Sequence, residues 1–166
     1  MTSDERYTEY VTGRLEWLHK IAFLLCQDWA HAEDLVQITI TRLYVHWRRA
    51  SKVDNLDGYT RTILMRVFLA EQRTGWRKWV TARRPPPDTP TAPVDPDMGL
   101  DLRAALLALA PRQRASVVLR FYCDLSVEQT AEILGCSPGT IKSQTARALM
   151  TLRHDLRRSP LKERLA

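Results

Sequence analysis

The chain has 166 residues, of which 25 are Lys or Arg and 19 are Asp or Glu, so its formal net charge is +6 at pH 7. This length suffices for one medium domain or two small ones, and the basic balance favours a polyanionic partner. The three cysteines lack metal-ligand spacing and no apolar run resembles a signal peptide or a membrane span, which argues against zinc binding and membrane insertion and favours a cytoplasmic protein with reduced thiols.

Three helices are predicted for the amino-terminal part, because apolar residues recur there at intervals of three and four. They cover residues 5–26, 28–49 and 58–73, with caps at Asp28 and at Asn55 or Asp57, and a loop at 50–57. The second helix places Ile38 and Val45 among polar residues on its outer face. This pattern leaves two interpretations open, namely a surface that binds a partner and a surface that another helix covers.

The segment after these helices has two parts that differ in amino-acid composition. Residues 75–79 read Gly-Trp-Arg-Lys-Trp, a basic and aromatic stretch that suits nucleic acid but could also complete a small core through Trp76 and Trp79. For Trp47, by contrast, we expect a place in the core. Residues 81–98 hold six of the nine prolines, which no helix tolerates, so we predict a fairly extended linker.

A second helical domain is expected from Leu100 onward. One helix there is predicted to end at Pro111 and another to run from Arg112 to Tyr122, with Val118, Phe121 and Tyr122 facing inward. Basic residues follow at the end of the chain, namely Arg157, Arg158, Lys162 and Arg164. The predicted fold class is therefore all-α, with two small helical domains at 1–80 and 99–166 joined by the proline-rich linker 81–98.

Residues 126–153 predict two helices joined by a tight turn. Ser126 suits the cap of the first helix, Gly135 its left-handed end, and Ser137 and Pro138 the start of the second helix. The pattern predicts that the inward face of the second helix carries Ile141, Thr145, Ala148, Leu149 and Leu152. It predicts that the following residues point away from that face: Thr140, Lys142, Ser143, Gln144 and Arg147. This is the layout of a helix-turn-helix that enters the DNA major groove, with an ordinary helical hairpin as the alternative.

Neither catalysis nor a cofactor is indicated by any motif. The chain lacks a nucleotide-binding glycine loop, GxSxG and HExxH, and its four histidines are not paired at metal spacing. Charge is segregated instead: residues 1–41 hold three basic and seven acidic residues, whereas residues 42–78 hold nine basic and three acidic. Two different binding partners could use this uneven distribution of charge. We expect no enzymatic activity, no metal and no cofactor.

Two stretches resemble the promoter-recognising regions of bacterial sigma factors. Residues 32–37, Ala-Glu-Asp-Leu-Val-Gln, resemble region 2, and residues 109–114, Leu-Ala-Pro-Arg-Gln-Arg, together with 121–122 and 126–131, resemble region 4. Both regions in so short a chain resemble the extracytoplasmic-function type of the sigma-70 family (group 4), in particular its SigE-like actinobacterial subfamily. No further domain is expected after residue 166.

The sequence departs from this family at two places. Ile38 and Thr39 stand where the family usually has an acidic residue, and residues 70–73 read Ala-Glu-Gln-Arg where Ala-Arg-Asn is common. The second departure leaves open how the upstream edge of the −10 element is recognised.

The resemblance implies a sigma factor that binds core RNA polymerase, through the clamp of the β′ subunit and the flap of the β subunit, and directs initiation at promoters. An anti-sigma factor is a further partner that it allows. The implied polymerase-binding residues are Asp34, Leu35, Gln37, Ile38 and Thr41. Those implied for the −10 strand are Asn55, Leu56, Asp57, Tyr59, Arg61, Met65 and Arg66. Those implied for −35 DNA are Arg112, Arg114, Ser137, Pro138, Thr140, Lys142, Ser143 and Arg147. Of these, Arg112 and Arg114 are expected to contact the DNA backbone.

Two other functions stay open on the sequence. One is a helix-turn-helix regulator that works without polymerase, which would normally need a dimer and a palindromic site. The other is a decoy that sequesters an anti-sigma protein without driving transcription.

Overall fold

The computed structural model describes residues 1–74 and 100–157, apart from the side chains of Leu100 and Asp101. All regular elements in these two ranges are helices, which confirms the all-α fold class. The chain divides into two compact units, called unit 1 for the first range and unit 2 for the second. Several expectations lie outside the described residues, namely those for 75–79 with Trp76 and Trp79, for the linker 81–98, and for Arg158, Lys162 and Arg164.

The helices of unit 1 begin and end close to the predicted positions. They are α1 at Ser3–Cys26, α2 at Trp29–Val45, α3 at Trp47–Ala50 and α4 at Leu56–Thr74. Asp28 caps α2 by accepting a hydrogen bond from the N–H of His31 (3.2 Å). One boundary differs from the prediction, because the helix expected to reach Arg49 breaks at His46, whose φ of −102° and ψ of 10° are not helical.

The core of unit 1 forms where α1, α2 and α4 pack together. Its fully buried side chains include Leu18, Ile21, Leu25, Leu35, Leu43, Leu64, Met65 and Phe68. Trp47 is 5% exposed, as expected for a core residue, and its indole N–H donates to the carbonyl of Ser3 (3.0 Å). Val45 is 71% exposed, so the described helices leave this side chain uncovered, whereas Ile38 is half-buried.

A buried polar contact joins the start of α2 to the end of α4. Nε2 of His31 lies 2.8 Å from Oε2 of Glu71, and both residues are at most 9% exposed. A buried polar group is unfavourable unless it finds a partner, so this contact fixes how the two helix ends meet. The sequence pattern gave no sign of it, because periodicity does not identify partners 40 residues apart.

Unit 2 contains four α-helices and one π-helical turn within residues 100–157. These are α5 at Leu100–Ala108, α6 at Pro111–Val117, the π turn at Val118–Tyr122, α7 at Val127–Leu134 and α8 at Pro138–Arg157. Helix α8 packs against α5, α6 and α7, and Ile141, Ala148 and Leu152 carry its buried face. The predicted inward positions Thr145 and Leu149 are half-buried.

The π turn corrects one expectation for unit 2. Phe121 and Tyr122 were expected to face inward, but they are 55% and 46% exposed, whereas Val118 is buried as expected. The N–H of Cys123 bonds to the carbonyl of Val118 (3.0 Å), five residues earlier, which is π-helical spacing. The extra residue in the turn rotates the following side chains away from the face that α-helical spacing predicts.

Candidate nucleic-acid and protein interfaces

The helix-turn-helix of unit 2 is held by caps that the sequence specifies locally. Ser126 and Gln129 form a capping box at the start of α7, with Gln129 N–H to Ser126 Oγ at 3.0 Å and Ser126 N–H to Gln129 Oε1 at 2.9 Å. Gly135 ends α7 with a φ of +66°, a conformation that a side chain disfavours. Ser137 caps α8 by accepting the N–H of Thr140 (3.1 Å). These predicted caps are confirmed.

The exposed start of α8 is called the recognition face. It comprises Ser137, Pro138, Thr140, Lys142, Ser143 and Arg147, all of them exposed. The hydroxyl groups of Ser137 and Thr140 lie 2.9 Å apart. Since the first turns of a recognition helix carry most base contacts, this face has the donors and the position that major-groove binding requires.

Gln144, which the sequence grouped with the outward residues, is partly withdrawn from this face. Its side-chain oxygen accepts a hydrogen bond from Ser116 Oγ (3.0 Å), and the residue is half-buried between α6 and α8. Ser116 is itself fully buried. Gln144 therefore ties α8 to α6.

The two arginines predicted to contact the DNA backbone have different environments. Arg112 is exposed and donates from Nη2 to the carbonyl of Leu134 at the end of α7 (2.7 Å). Arg114 is 4% exposed and donates to the carbonyls of Leu106 (2.9 Å) and Leu109 (3.1 Å). The DNA-backbone role expected for Arg114 is wrong in this structure, because its guanidinium satisfies buried carbonyls at the end of α5.

The loop before α4 and the first turns of that helix carry most of the residues expected to contact the −10 strand. Asn55 is exposed and caps α4, accepting the N–H of Gly58 (2.9 Å). A Cβ at Gly58 would lie 2.6 Å from Nδ2 of Asn55, so the absence of a side chain there leaves room for this cap. Leu56 and Tyr59 are half-buried against the cluster of Val11, Leu43, Trp47 and Ala50.

Further along α4 the expected residues separate into core and surface. Met65 is fully buried, so its expected DNA contact is wrong, because the side chain packs inside unit 1. Arg66 is exposed. The guanidinium of Arg61 lies 5.7 Å from the centre of the Trp17 ring, a cation–π arrangement that directs it along the surface of α1.

Asp57 is the centre of a polar network between α4 and α1. Its Oδ1 accepts hydrogen bonds from Nε of Arg14 (2.9 Å) and from the hydroxyl of Tyr10 (2.8 Å). The Tyr10 hydroxyl also lies 2.9 Å from Oγ1 of Thr60. Four side chains from two helices therefore converge at the start of α4.

The electrostatics of this network follow from its geometry. Burial raises the pKa of Tyr10 to about 12, and the bond to Asp57 acts in the same direction while the bond to Thr60 opposes it. For Asp57, burial raises the pKa, but hydrogen bonds from Arg14 and Tyr10 and the nearby positive charges outweigh burial and hold the pKa below its usual value. The carboxylate is thus kept ionised.

The outer face of α2 is defined by Asp34, Gln37, Ile38, Thr41 and Val45. Gln37, Thr41 and Val45 are exposed, whereas Asp34 and Ile38 are half-buried. Leu35, which was expected to contact polymerase, is fully buried, and this expectation is wrong because the side chain lies on the opposite, core-facing side of α2. Tyr44, which was not among the predicted polymerase-binding residues, is 50% exposed on the same helix.

Residues 1–74 and 100–157 contain no group of His, Cys, Asp and Glu side chains arranged to hold a metal ion. In the same part of the chain no helix has the length and apolar character needed to cross a membrane.

Family matches cover most of the chain. Residues 11–78 match Sigma-70 region 2, and residues 99–152 match Sigma-70, region 4. The RNA polymerase sigma-E factor of Streptomyces coelicolor is 36% identical over 155 residues, which cover 90% of this chain and 85% of that protein. The sigma-E factor of Streptomyces antibioticus is 34% identical, with 90% and 84% coverage.

A solved structure shows the same likeness. The sigma factor RpoE from Bartonella quintana, solved in complex with the anti-sigma factor NepR, matches with a TM-score of 0.71 and 26% identity, covering 93% of this chain and 99% of that one. The coverage, the two matched regions and the exposed helix-turn-helix agree with one another. The chain belongs to the sigma-70 family of RNA polymerase sigma factors, of the extracytoplasmic-function type, and directs promoter-specific transcription initiation through core RNA polymerase and promoter DNA.

Proposed function

We propose that the two units divide promoter recognition between them. Unit 1, within a domain at residues 1–80, binds core polymerase and captures the unpaired −10 strand, and unit 2, within a domain at residues 99–166, binds −35 duplex, with residues 81–98 as linker. The observation that carries this proposal is the recognition face, whose six residues are all exposed on a helix start fixed by local caps. The chain itself has no catalytic role, and it acts in the cytoplasm.

In unit 2 we assign different contacts to different parts of the recognition face. Ser137 and Pro138 lie at the amino-terminal end of α8, where the positive end of the helix dipole favours a DNA phosphate. Lys142 and Ser143 lie one turn further and are assigned to base edges. Arg147 lies another turn along and reaches a base edge or a phosphate, and Arg112 contacts the backbone.

In unit 1 the proposed −10 surface is smaller than the sequence implied. Asn55, Leu56, Tyr59, Arg61 and Arg66 remain as its members, because each keeps at least part of its side chain at the surface. Asp57 is also partly exposed, but its carboxylate is bound by Arg14 and Tyr10. Asn55 offers an amide for hydrogen bonds to a base, and the half-buried ring of Tyr59 offers a stacking surface for an unpaired base. The two arginines supply positive charge for the strand's phosphates.

For core polymerase we propose the outer face of α2. It combines the carboxylate of Asp34 with the amide of Gln37 and the exposed apolar side chain of Val45, a mixture typical of protein interfaces. The amino-terminal part of the chain is also its most acidic part. An anti-sigma factor is a further proposed partner, supported by the NepR complex of the Bartonella sigma factor.

The experiment is a promoter panel with reconstituted holoenzyme. Footprinting first identifies a promoter, and single base-pair substitutions across its −10 and −35 elements are then tested for open-complex formation. We expect Asp34→Arg to weaken core binding in a pull-down while leaving the fold intact. Wild-type affinity for core polymerase in that variant would contradict the assignment of the outer face of α2. An effect of the chain on transcription that does not depend on its binding to core polymerase would contradict the whole proposal.

A further inference from the structure

Helix α1 reaches the start of α4 through charged and hydroxyl side chains. Arg14 and Tyr10 both donate to the same oxygen of Asp57, and Arg14 also lies 5.8 Å from the centre of the Tyr10 ring. These contacts span 43 and 47 residues of sequence. None of the residues expected to contact DNA lies on α1.

The network leaves Asp57 poorly suited to reading a base directly. One of its carboxylate oxygens is already shared by two donors of the protein. A base amine would have to compete with the Arg14 guanidinium, and a carboxylate held in a charge-assisted bond is not easily released. A carboxylate beside a DNA strand also repels phosphates, unless its charge is neutralised by a cation such as Arg14.

The same network is well placed to fix the loop that precedes α4. Asp57 lies two residues after Asn55, the exposed cap of α4, and directly after Leu56. Thr60 continues the chain of contacts inward, since its hydroxyl bonds to the carbonyl of Leu56 (2.9 Å) while also meeting Tyr10. The exposed loop 51–55 is therefore anchored at its carboxyl end by α1.

We propose that Arg14 and Tyr10 are positioning residues for capture of the −10 strand, and that Asp57 is their anchor on α4 rather than a base-contacting group. The three residues hold the start of α4, and with it Asn55 and Tyr59, in the arrangement that accepts the unpaired strand. This inference rests on the proposed −10 surface in unit 1. It adds α1 to the promoter-binding apparatus without requiring α1 to contact a base.

The test is a charge exchange across the Arg14–Asp57 pair, measured with reconstituted holoenzyme. The probe is forked promoter DNA whose −10 segment is single-stranded on the non-template strand. We expect Arg14→Asp and Asp57→Arg each to lower affinity for the fork about tenfold, because each places like charges side by side. The double exchange should recover part of the lost affinity, because the ion pair forms again in reverse. Recovery stays incomplete, because an arginine at position 57 cannot accept the hydrogen bond from the Tyr10 hydroxyl.

Two controls separate positioning from general damage. Glu16→Gln removes a carboxylate on the same helix that pairs with Lys20 at the exposed surface (3.2 Å), and it should leave fork affinity unchanged. Core-polymerase affinity should stay at the wild-type value in the charge-exchange variants, because the outer face of α2 is untouched. If Arg14→Asp does not fold, Arg14→Gln serves instead, with an expected two- to threefold loss.

Three results would overturn the inference. These are wild-type fork affinity in the Arg14 variants, failure of the double exchange to recover affinity, and an equal loss of core and fork binding. Asn55→Ala and Arg61→Ala test the underlying −10 surface separately. If they lose fork affinity while the Arg14 variants do not, only the positioning role fails, whereas unchanged affinity in both would mean that the −10 surface itself is misplaced.

Discussion

The starts of α4 and α8 both carry proposed DNA-binding residues, but the chain holds them in place by different means. At α8, Ser137 caps the helix by accepting the N–H of Thr140, three residues away. At α4, Asn55 provides a similar local cap, but Asp57 is also bound by Arg14 and Tyr10 from the first helix. A local helix start can be derived from sequence spacing, whereas a start anchored across the fold cannot.

The two helix starts are proposed to bind different forms of DNA. Duplex −35 DNA presents a regular groove, and a helix with exposed donors at its first turns fits it without a surrounding pocket. An unpaired −10 strand has no such regular shape, so its binding surface has to be formed by several elements of the protein. The proposed −10 surface of unit 1 accordingly uses α1, the loop before α4, and α4 itself.

The largest expected effect tests whether Met65 belongs to the core of unit 1. Met65 is fully buried, and Met65→Ala should lower the free energy of unfolding by about 2–5 kcal/mol, because it removes packed volume from the core. Arg66→Ala is the matched surface control on the same helix and should change stability by less than about 0.5 kcal/mol. Urea denaturation followed by tryptophan fluorescence measures both. If both substitutions changed the free energy of unfolding by the same small amount, Met65 would again be a candidate for DNA contact.

Arg114 provides the corresponding test in unit 2, where its buried guanidinium binds the carbonyls at the end of α5. Arg114→Ala should destabilise unit 2 by about 2–4 kcal/mol, since buried carbonyls of Leu106 and Leu109 lose their donor. All five tryptophans lie within residues 1–80, so far-UV circular dichroism should show the loss while the fluorescence transition stays in place. Unchanged stability together with a loss of −35 binding would instead support the original backbone-contact role.

Specificity at the recognition face is the next effect in size. Lys142→Ala should relax preference at one −35 base pair by about 1–3 kcal/mol, as expected for a base contact. Arg112→Ala should weaken all sequences alike and reduce the salt dependence by about one ion, as expected for a phosphate contact. Binding to a panel of singly substituted −35 duplexes at two salt concentrations distinguishes them. Uniform weakening by Lys142→Ala would make this residue a phosphate contact.

The caps should give smaller and more similar effects at the two helix starts. Ser137→Ala and Asn55→Ala each remove one cap and should each lower stability by about 1 kcal/mol. If Asn55 also contacts the strand, its variant should lose open complexes beyond what this destabilisation explains. Permanganate reactivity of the −10 thymines measures that loss, and unchanged reactivity would leave Asn55 with the capping role alone.

The smallest effect is a titration that reports the network around Asp57. The raised pKa of Tyr10 means that its contribution to stability is fully present below about pH 10 and is lost as pH rises through about 12. When the absorbance of ionised tyrosine is followed with rising pH, the last titration step, near pH 12, should therefore be absent in Tyr10→Phe. Asp57→Asn should move that step to lower pH, because the neighbouring carboxylate also raises the pKa of Tyr10. Identical titration curves in all three proteins would argue that the contact is absent in solution.

Local patterns accounted for much of the fold and for the recognition face. The caps at Asp28, Ser126 and Ser137 and the left-handed Gly135 follow from short-range spacing, and the structure confirms each of them. Helical periodicity also placed Trp47 in the core, although a break at His46 separates α3 from α2.

The errors fall where the outcome depends on tertiary contacts or on an irregular turn. Family resemblance assigned Leu35, Met65 and Arg114 to interfaces, but a match to a motif does not show which side of a helix faces the core. The π turn displaced Phe121 and Tyr122 because helical spacing assumes a constant number of residues per turn. The contacts of Asp57 with α1 had no sequence signal, because both donors lie more than 40 residues away.

Run-off transcription with purified core polymerase tests the central claim most directly. Core polymerase alone, core polymerase with this chain, and core polymerase with Asp34→Arg would be compared on a footprinted promoter and on a version with a substituted −35 element. We predict a specific transcript only when core polymerase and the wild-type chain meet the intact promoter, with strong reductions for the variant and for the substituted promoter. Binding of the chain to core polymerase without any promoter-specific transcript would contradict the account and would favour a decoy that sequesters an anti-sigma protein.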